Sequence, residues 1–534
     1  MSWRRAVPVL LFGFALTSCG GGAGKATPSS SHNDPPPPPN PGDSPGVVSV
    51  LTYHNDLSRS GLNNNESILT TANVNSTQFG KLATFQVDGE VYAQPLYVPN
   101  LQIAGATHKV VFVATQHDSV YAFDGSGKST QPFWHTSLLD NGATPVPGKD
   151  PLGIQPEIGI TSTPAIDMSS NTLYVVSMQQ LAGGHRPIQL HALDLATGAE
   201  KFGGPKEIIA QVTGSGAEAD ANDQLHLTAG CYQRAALALS GGKIFISFGH
   251  CKHGWVVTYA AGTLDQTGVY NTTPDGTGGT IWMSGGGPAV DSSGNVYVMT
   301  SVDNDSVGPG FLDAFLKMDS NLVPEDFFTP SNEDTLVAND ADLGSGAPMI
   351  LPDNSSAHPH LLVGAGKDGN IYLLDRDAMG SFNADHNNVV QQVKSGTQQW
   401  GNFFDTPSYW NGHVYLHAQR DVLRSFTFSN GLLSSAPVAT GQVTYGGHGA
   451  TASISANGNS NGIVWEVQVD QSRSAGPAVL HAYDALTLKH LYSSADNSTR
   501  DAAGPAVKFV VPTVADGHVF VGSSHQVTVY GLLN

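Results

Sequence analysis

From about residue 80 the chain alternates short runs of Val, Ile, Tyr and Phe with Asn-Gly, Asp-Gly and Ser-Gly pairs, and no long stretch carries a helical period. The pattern predicts strands joined by tight turns. Laid in register, the runs repeat. Gln94-Pro95-Leu96-Tyr97, Thr163-Pro164-Ala165-Ile166, Arg234-Ala235-Ala236-Leu237 and Gly287-Pro288-Ala289-Val290 head four units. Ala347-Pro348-Met349-Ile350, Thr406-Pro407-Ser408-Tyr409, Thr451-Ala452-Ser453-Ile454 and Val511-Pro512-Thr513-Val514 head four more. A mean spacing of about 60 residues suits a four-stranded blade with long loops. The last unit stops after a third strand over 527–532, and residues 81–87, just before the first unit, can supply the fourth. The expectation is an all-β, eight-bladed β-propeller of four-stranded antiparallel blades, closed by an N-terminal strand that leaves no free sheet edge. Two packed β-sandwiches are the competing architecture, but they would not give an even repeat through the whole length.

The N-terminus reads differently. Arg4 and Arg5 precede an apolar run over 6–16 and then Leu16-Thr17-Ser18-Cys19. So short a run does not cross the ~30 Å of hydrocarbon in a bilayer and reads as a signal peptide. Its end resembles the bacterial lipobox, which makes Cys19 the lipid-modified mature N-terminus; an ordinary cleavage site that happens to contain a cysteine is the alternative. Gly20 stands where retention at the inner membrane usually requires Asp, so the lipoproteins it resembles are those sent to an outer membrane. The expected layout is a signal peptide over 1–18, a Gly/Ser/Pro-rich tether over 19–46 with five prolines at 35–39, a lead-in over 47–79 and the propeller over 80–534.

Charge narrows the partners. Twenty-four Lys and Arg stand against 44 Asp and Glu, a formal charge of -20, which argues against nucleic acid and against electrostatic docking on anionic headgroups. The membrane is expected as a partner only through the lipid.

The Ala-x-Asp-x-x-Thr-Gly signature at Ala192, Asp194, Thr197 and Gly198, with its preceding Thr-Pro-Ala-Ile and Leu-Tyr-Val-Val strands, resembles the repeat of PQQ-type propellers across residues 80–534. Arg59-Ser60-Gly61, Ala72-Asn73-Val74 and Phe85-Gln86-Val87-Asp88-Gly89 resemble the lead-in of secreted members of that group. Such repeats typically end in a Trp that docks one blade on the next. Trp134 takes that place in the first blade, and Phe202 and Tyr492 stand at the corresponding places elsewhere. The resemblance implies one of two functions. Quinoprotein alcohol dehydrogenases hold pyrroloquinoline quinone (PQQ) and Ca²⁺ in the central channel, whereas scaffold lipoproteins of the same fold have no cofactor. Neither the adjacent Cys-Cys pair on which many dehydrogenases stack the quinone nor a Cys-x-x-Cys-His haem motif occurs in this chain.

In a propeller, the loops leading into the innermost strands and those between second and third strands share one face around the channel mouth. The first set offers Gln94, Gln233, Arg234, Trp282, Asp342, Asp405, His448 and Lys508, and the second His117, His250, His253, Asp303, Asp305, Lys367, Asp368 and Arg420. Asp340 with Asp342, and Asp303 with Asp305, supply hard oxygens for Ca²⁺, although neither forms a complete calcium loop and solvated turns explain them better. Cys231, Cys251, His250 and His253 fit a zinc site by ligand type, but an exported protein favours a disulfide. Strand register supports the same pairing: if Leu239 faces Lys243 across the turn 240–242, Cys231 faces Cys251.

The sequence therefore predicts an envelope-anchored propeller that binds a ligand or protein as a scaffold module, with no demonstrable catalytic centre. The alternative is a periplasmic or cell-surface quinoprotein oxidoreductase of alcohols or sugars. In that reading Arg234 or Lys508 would polarise the quinone, Asp303 or Asp405 would act as base, and Trp282 would stack on the cofactor.

Overall fold

Runs such as 120–123 are apolar at every position rather than at alternate ones, because each middle strand is buried on both faces between neighbouring blades; Val120, Ala122 and Phe123 are fully buried. The computed structural model describes residues 48–148, 153–302, 306–394, 401–472 and 474–533. Over these the chain forms eight blades of small, mainly antiparallel sheets arranged as a propeller, a separate two-stranded sheet of Gln211–Thr213 and Gln224–His226, and two short α-helices, Glu333–Ala338 and Ser498–Asp501. The first blade runs from the channel outward through Leu96–Ile103, Ala106–Ala114, Ser119–Asp124 and Trp134–Ser137. The innermost strands of the others are Ala165–Asp167, Ala238–Ser240, Ala289–Val290, Met349–Ile350, Ser408–Trp410, Ser453–Asn457 and Thr513–Ala515. In the last blade, His518–Leu532 pairs with Thr513–Ala515 through its first residues and with the early strand Phe79–Glu90 through its last ones. The left-handed His525 (φ 60°) lies where the pairing with the early strand shifts register, between Ser524 opposite Glu90 and Gln526 opposite Gln86.

The segment before Phe79 is built into the channel. The fourth residue of every repeat heading meets it in chain order. Tyr97 N–H donates to Val50 O, Ile166 N–H to Leu51 O, Val290 N–H to Leu57 O, Ile350 N–H to Ser58 O, Tyr409 N–H to Ser60 O and Ile454 N–H to Gly61 O, all at 2.7–3.0 Å. In the third blade Leu237 O accepts from Thr52 Oγ1 and Arg59 Nη2, and in the eighth Val514 O accepts from Asn63 Nδ2. One short segment thus touches all eight blades. Its curvature needs left-handed residues, and His54, Asn55, Arg59 and Gly61 have φ of 57°, 72°, 66° and 70°. At Gly61 a Cβ would collide with the His54 ring, so that position requires glycine. Arg59 is fully buried at the centre of the turn and donates to Pro288 O, Thr52 Oγ1 and Tyr53 O as well as to Leu237 O.

Two sequence expectations change. Phe202 does not dock a blade: it is 36% exposed and lies beside Lys201. Docking falls instead to Trp134, whose indole donates to Leu195 O of the second blade, to Trp410, whose indole donates to Gly458 O, and to Tyr492 packed on Phe79. The Cys231–Cys251 disulfide is present, with Cα atoms 4.7 Å apart, but the strands leading to it are paired one residue away from the expected register. Gly241 and Gly242 (φ 57° and 73°) make a two-residue turn, so Leu239 faces Ile244. The irregular stretch 233–237 then shifts the pairing by two residues, Tyr232 bridges Gly249, and the cysteines meet beyond that shift. Closing this loop contributes about 3 kcal/mol in the chain-entropy picture.

If the lead-in ring holds the blades together, Arg59→Ala should cost about 3 kcal/mol or more, because it leaves several buried carbonyls without donors. Urea unfolding would read this as a lower midpoint. An unchanged midpoint would mean the ring is decoration.

Candidate functional site

With the lead-in occupying one part of the channel, the loops above the innermost strands define the mouth. Those loops deliver Arg234 to the third blade, Trp282 to the fourth, Phe404 to the sixth, His448 to the seventh and Phe509 to the eighth. The rings converge on Phe509, a left-handed residue (φ 64°): its centroid is 4.8 Å from His448, 5.9 Å from Phe404 and 6.3 Å from Trp282. His250 adds a ring 5.3 Å from Trp282, and the disulfide at the neighbouring Cys251 fixes the loop that carries it. The result is an aromatic plug with mutually tilted rings.

Arg234 lies beneath it, 3% exposed, its guanidinium 5.4 Å from the Tyr92 centroid and 5.6 Å from that of Phe509. It donates to Thr161 O and Ser284 O, each at 3.0 Å. Burial pulls its pKa down to about 10, and the titratable groups acting on it are Tyr92 and Tyr53, with no carboxylate among them. The turn that accepts from Arg234 has three successive left-handed residues, Met283, Ser284 and Gly285, and a Cβ at Gly285 would strike the guanidinium.

The other expected residues scatter. Gln94 anchors the lead-in by accepting the His54 N–H, and Gln233 donates to Ala235 O inside the third blade. His117 pairs with Glu157 away from the aromatic plug, and Lys508 stands 5.4 Å from the Phe509 ring. Lys367 forms an ion pair with Asp342 and reaches Asp340 O at 3.0 Å, so the proposed calcium oxygens at Asp340 and Asp342 are taken up by a cation of the chain itself. Asp303 and Asp305 lie outside the described residues. His253 is buried, with its nitrogens close to Thr273 O and Ala217 O, and the cysteines are bonded to each other; the zinc reading is thereby replaced by a packed strand start. Among the described residues no group of three or more His, Cys, Asp or Glu could hold a metal.

Asp405, next to Phe404, is 2% exposed and accepts the His417 N–H through Oδ2, while Oδ1 has no hydrogen-bond partner. Burial raises its pKa to about 7, the His417 N–H and the His417 charge oppose the rise, and Glu466 adds to it. His417 and Glu466 form an ion pair with both side chains fully buried. Sequence reasoning missed Phe404 and Phe509 although each adjoins a polar candidate, Asp405 and Lys508. An apolar residue in a polar loop was the available signal.

No protein-family model and no curated protein sequence matches this chain. Solved structures do match in fold. A quinohemoprotein alcohol dehydrogenase from Pseudomonas putida HK5 gives a TM-score of 0.61 at 14% identity, covering 91% of this chain and 80% of its own. That from Comamonas testosteroni gives 0.59 at 14%, covering 90% and 80%. A europium-containing methanol dehydrogenase gives 0.60 at 13%, covering 91% and 98%. At such identities the likeness establishes the eight-bladed propeller and leaves function to the site.

A carboxyl with a raised pKa binds its proton more tightly in the folded state, so its contribution to stability falls as pH rises from its ordinary value near 4 to about 7. Asp405→Asn removes that contribution. The stability of the variant relative to the parent should improve by more than ~1 kcal/mol between pH 4 and pH 8, as read by urea melts across pH. A flat difference would show that burial does not raise the Asp405 pKa.

Proposed function

We propose that this chain is an envelope-anchored binding propeller, a ligand- or protein-binding scaffold, rather than a quinone-dependent oxidoreductase. The observation that carries the reading is the position of Phe509. A flat tricyclic quinone stacks with its plane parallel to a tryptophan, yet Trp282 is ringed by His250, Phe404 and Phe509 at 5.3–6.3 Å with interplanar angles of 47–63°. Among the described residues the oxygens that calcium needs are also not assembled, since Lys367 neutralises Asp342 and Asp405 offers a single unpartnered oxygen. The described residues as arranged do not fit the quinone and its metal. Arg234, among rings and carbonyls, and Asp405, on the His417 N–H, remain as buried polar groups, a floor suited to holding the mouth rigid.

Titrating the purified chain with PQQ and Ca²⁺, followed by dye-linked oxidation of alcohols and aldoses, tests this. The expected result is no stoichiometric binding at micromolar quinone and no dye reduction. Saturable binding with Ca²⁺-dependent turnover would establish the oxidoreductase instead.

The anchoring half of the proposal rests on Leu16-Thr17-Ser18-Cys19 and the Pro-rich spacer after it. Cys19→Ser should move the protein from the membrane fraction to the soluble fraction. Intact mass of the membrane form showing an unacylated N-terminus would refute it.

A further inference from the structure

His417 follows the second strand of the sixth blade, His413–Leu416, and Glu466 lies in the second strand of the seventh, Ser460–Gln468. Both side chains are fully buried. His417 Nδ1 is 3.0 and 3.1 Å from the two Glu466 oxygens, and Nε2 is 2.9 Å from Asp421 O. Carbonyl and carboxylate oxygens only accept, and a neutral imidazole carries one N–H. Both contacts are therefore made together only when the pair holds one proton more than a neutral histidine and a carboxylate have between them, whichever partner carries it. Burial opposes a charge on His417, but the Glu466 carboxylate, the Asp421 carbonyl and the Asp405 charge outweigh it and raise the pKa above its ordinary value.

Two loops of the mouth border this pair. Asp405 Oδ2 accepts the His417 main-chain N–H, and the neighbouring Phe404 packs on Phe509. A Cβ at Gly449 would strike His417 O, so the loop that carries His448 passes against the same residue. Among the described residues around the pair a lost proton is not replaced. Arg424 is held by Asp421 through two bonds of 2.7 Å, and Arg420 is exposed. His481, directly opposite Glu466 in the strand pairing, is pulled down to about 3 by burial and by the charges of His490 and His417. Tyr445, its ring centroid 4.1 Å from that of His417, and Tyr483, its hydroxyl 3.4 Å from that of Tyr445, are raised by burial and by the Glu466 charge. With both protons in place Asp405, His417 and Glu466 sum to zero charge; without them two negative charges are shut away from water. A raised histidine contributes its stability below its unfolded value near 6.5 and loses it as pH rises through the folded value, and the raised Asp405 carboxyl, at about 7, changes in the same direction.

We infer that the His417–Glu466 pair and Asp405 form a proton-dependent latch between the sixth and seventh blades: protonated, it holds the loops of Phe404 and His448 in place over the channel, and loss of its protons as pH rises frees them. The mouth is then rigid at mildly acid pH and mobile at alkaline pH. The latch is independent of what the mouth binds, so it stands or falls apart from the quinone titration.

Amide hydrogen exchange of the full chain, corrected for the pH dependence of intrinsic exchange, tests this. Between about pH 5.5 and about pH 9, protection of peptides covering 401–407 and 445–452 should fall at least about tenfold, while that of 110–124 in the first blade stays constant. Glu466→Gln gives a neutral His417 a full set of partners, because the amide N–H₂ donates to Nδ1 while Nε2–H donates to Asp421 O. The variant should keep the mouth protected at alkaline pH and shrink the fall to about threefold or less, the remainder belonging to Asp405. A merely structural pair would instead lose protection at every pH. Equal protection of the mouth peptides at both pH values, a fall shared by the first blade, or a fall of full size in Glu466→Gln would each overturn the inference. The first two outcomes are read on the parent chain, so they decide the matter even if the variant does not fold.

Discussion

A propeller places the inner edge of every blade against its own channel, and a sheet edge carries backbone groups that must be bonded. Eight such edges converge here. The chain meets the demand with its own lead-in, whose backbone and side chains reach the fourth residue of all eight repeat headings between Val50 and Asn63. The strained turn at His54, Asn55 and Arg59 is what lets one segment follow the ring. Arg59 then bonds carbonyls of the third and fourth blades at once through Leu237 and Pro288.

That arrangement governs the chemistry left to the channel. With one part filled by the lead-in, the remaining space is the mouth, and the mouth is filled by Phe509 and the rings around it. Arg234 is held between Tyr92 and Phe509 and bonded to two carbonyls, so its charge is fixed in place without an acid.

The disulfide tolerates a shift in strand register. A three-residue turn would set Cys231 opposite Cys251 directly; two left-handed glycines make a two-residue turn instead, and the irregular stretch 233–237 offsets it. Cysteines near opposite ends of a hairpin are insensitive to such details because the bridge spans a range of Cα separations.

The sequence by itself determined the all-β class, the eight repeats and the strand that meets the last blade, since each depends on local periodicity and turn residues. It also determined the cysteine pair, through its spacing around one hairpin. Only the tertiary structure decided that Lys367 sits on Asp342, that Gln94 holds the lead-in and that Phe404 and Phe509 close the mouth. Those contacts join separate loops or a loop and the lead-in, tens of positions or more apart, and no local pattern encodes which of them converge when the ring closes. Polar loop residues were therefore visible as candidates, but their partners were set by closure of the propeller.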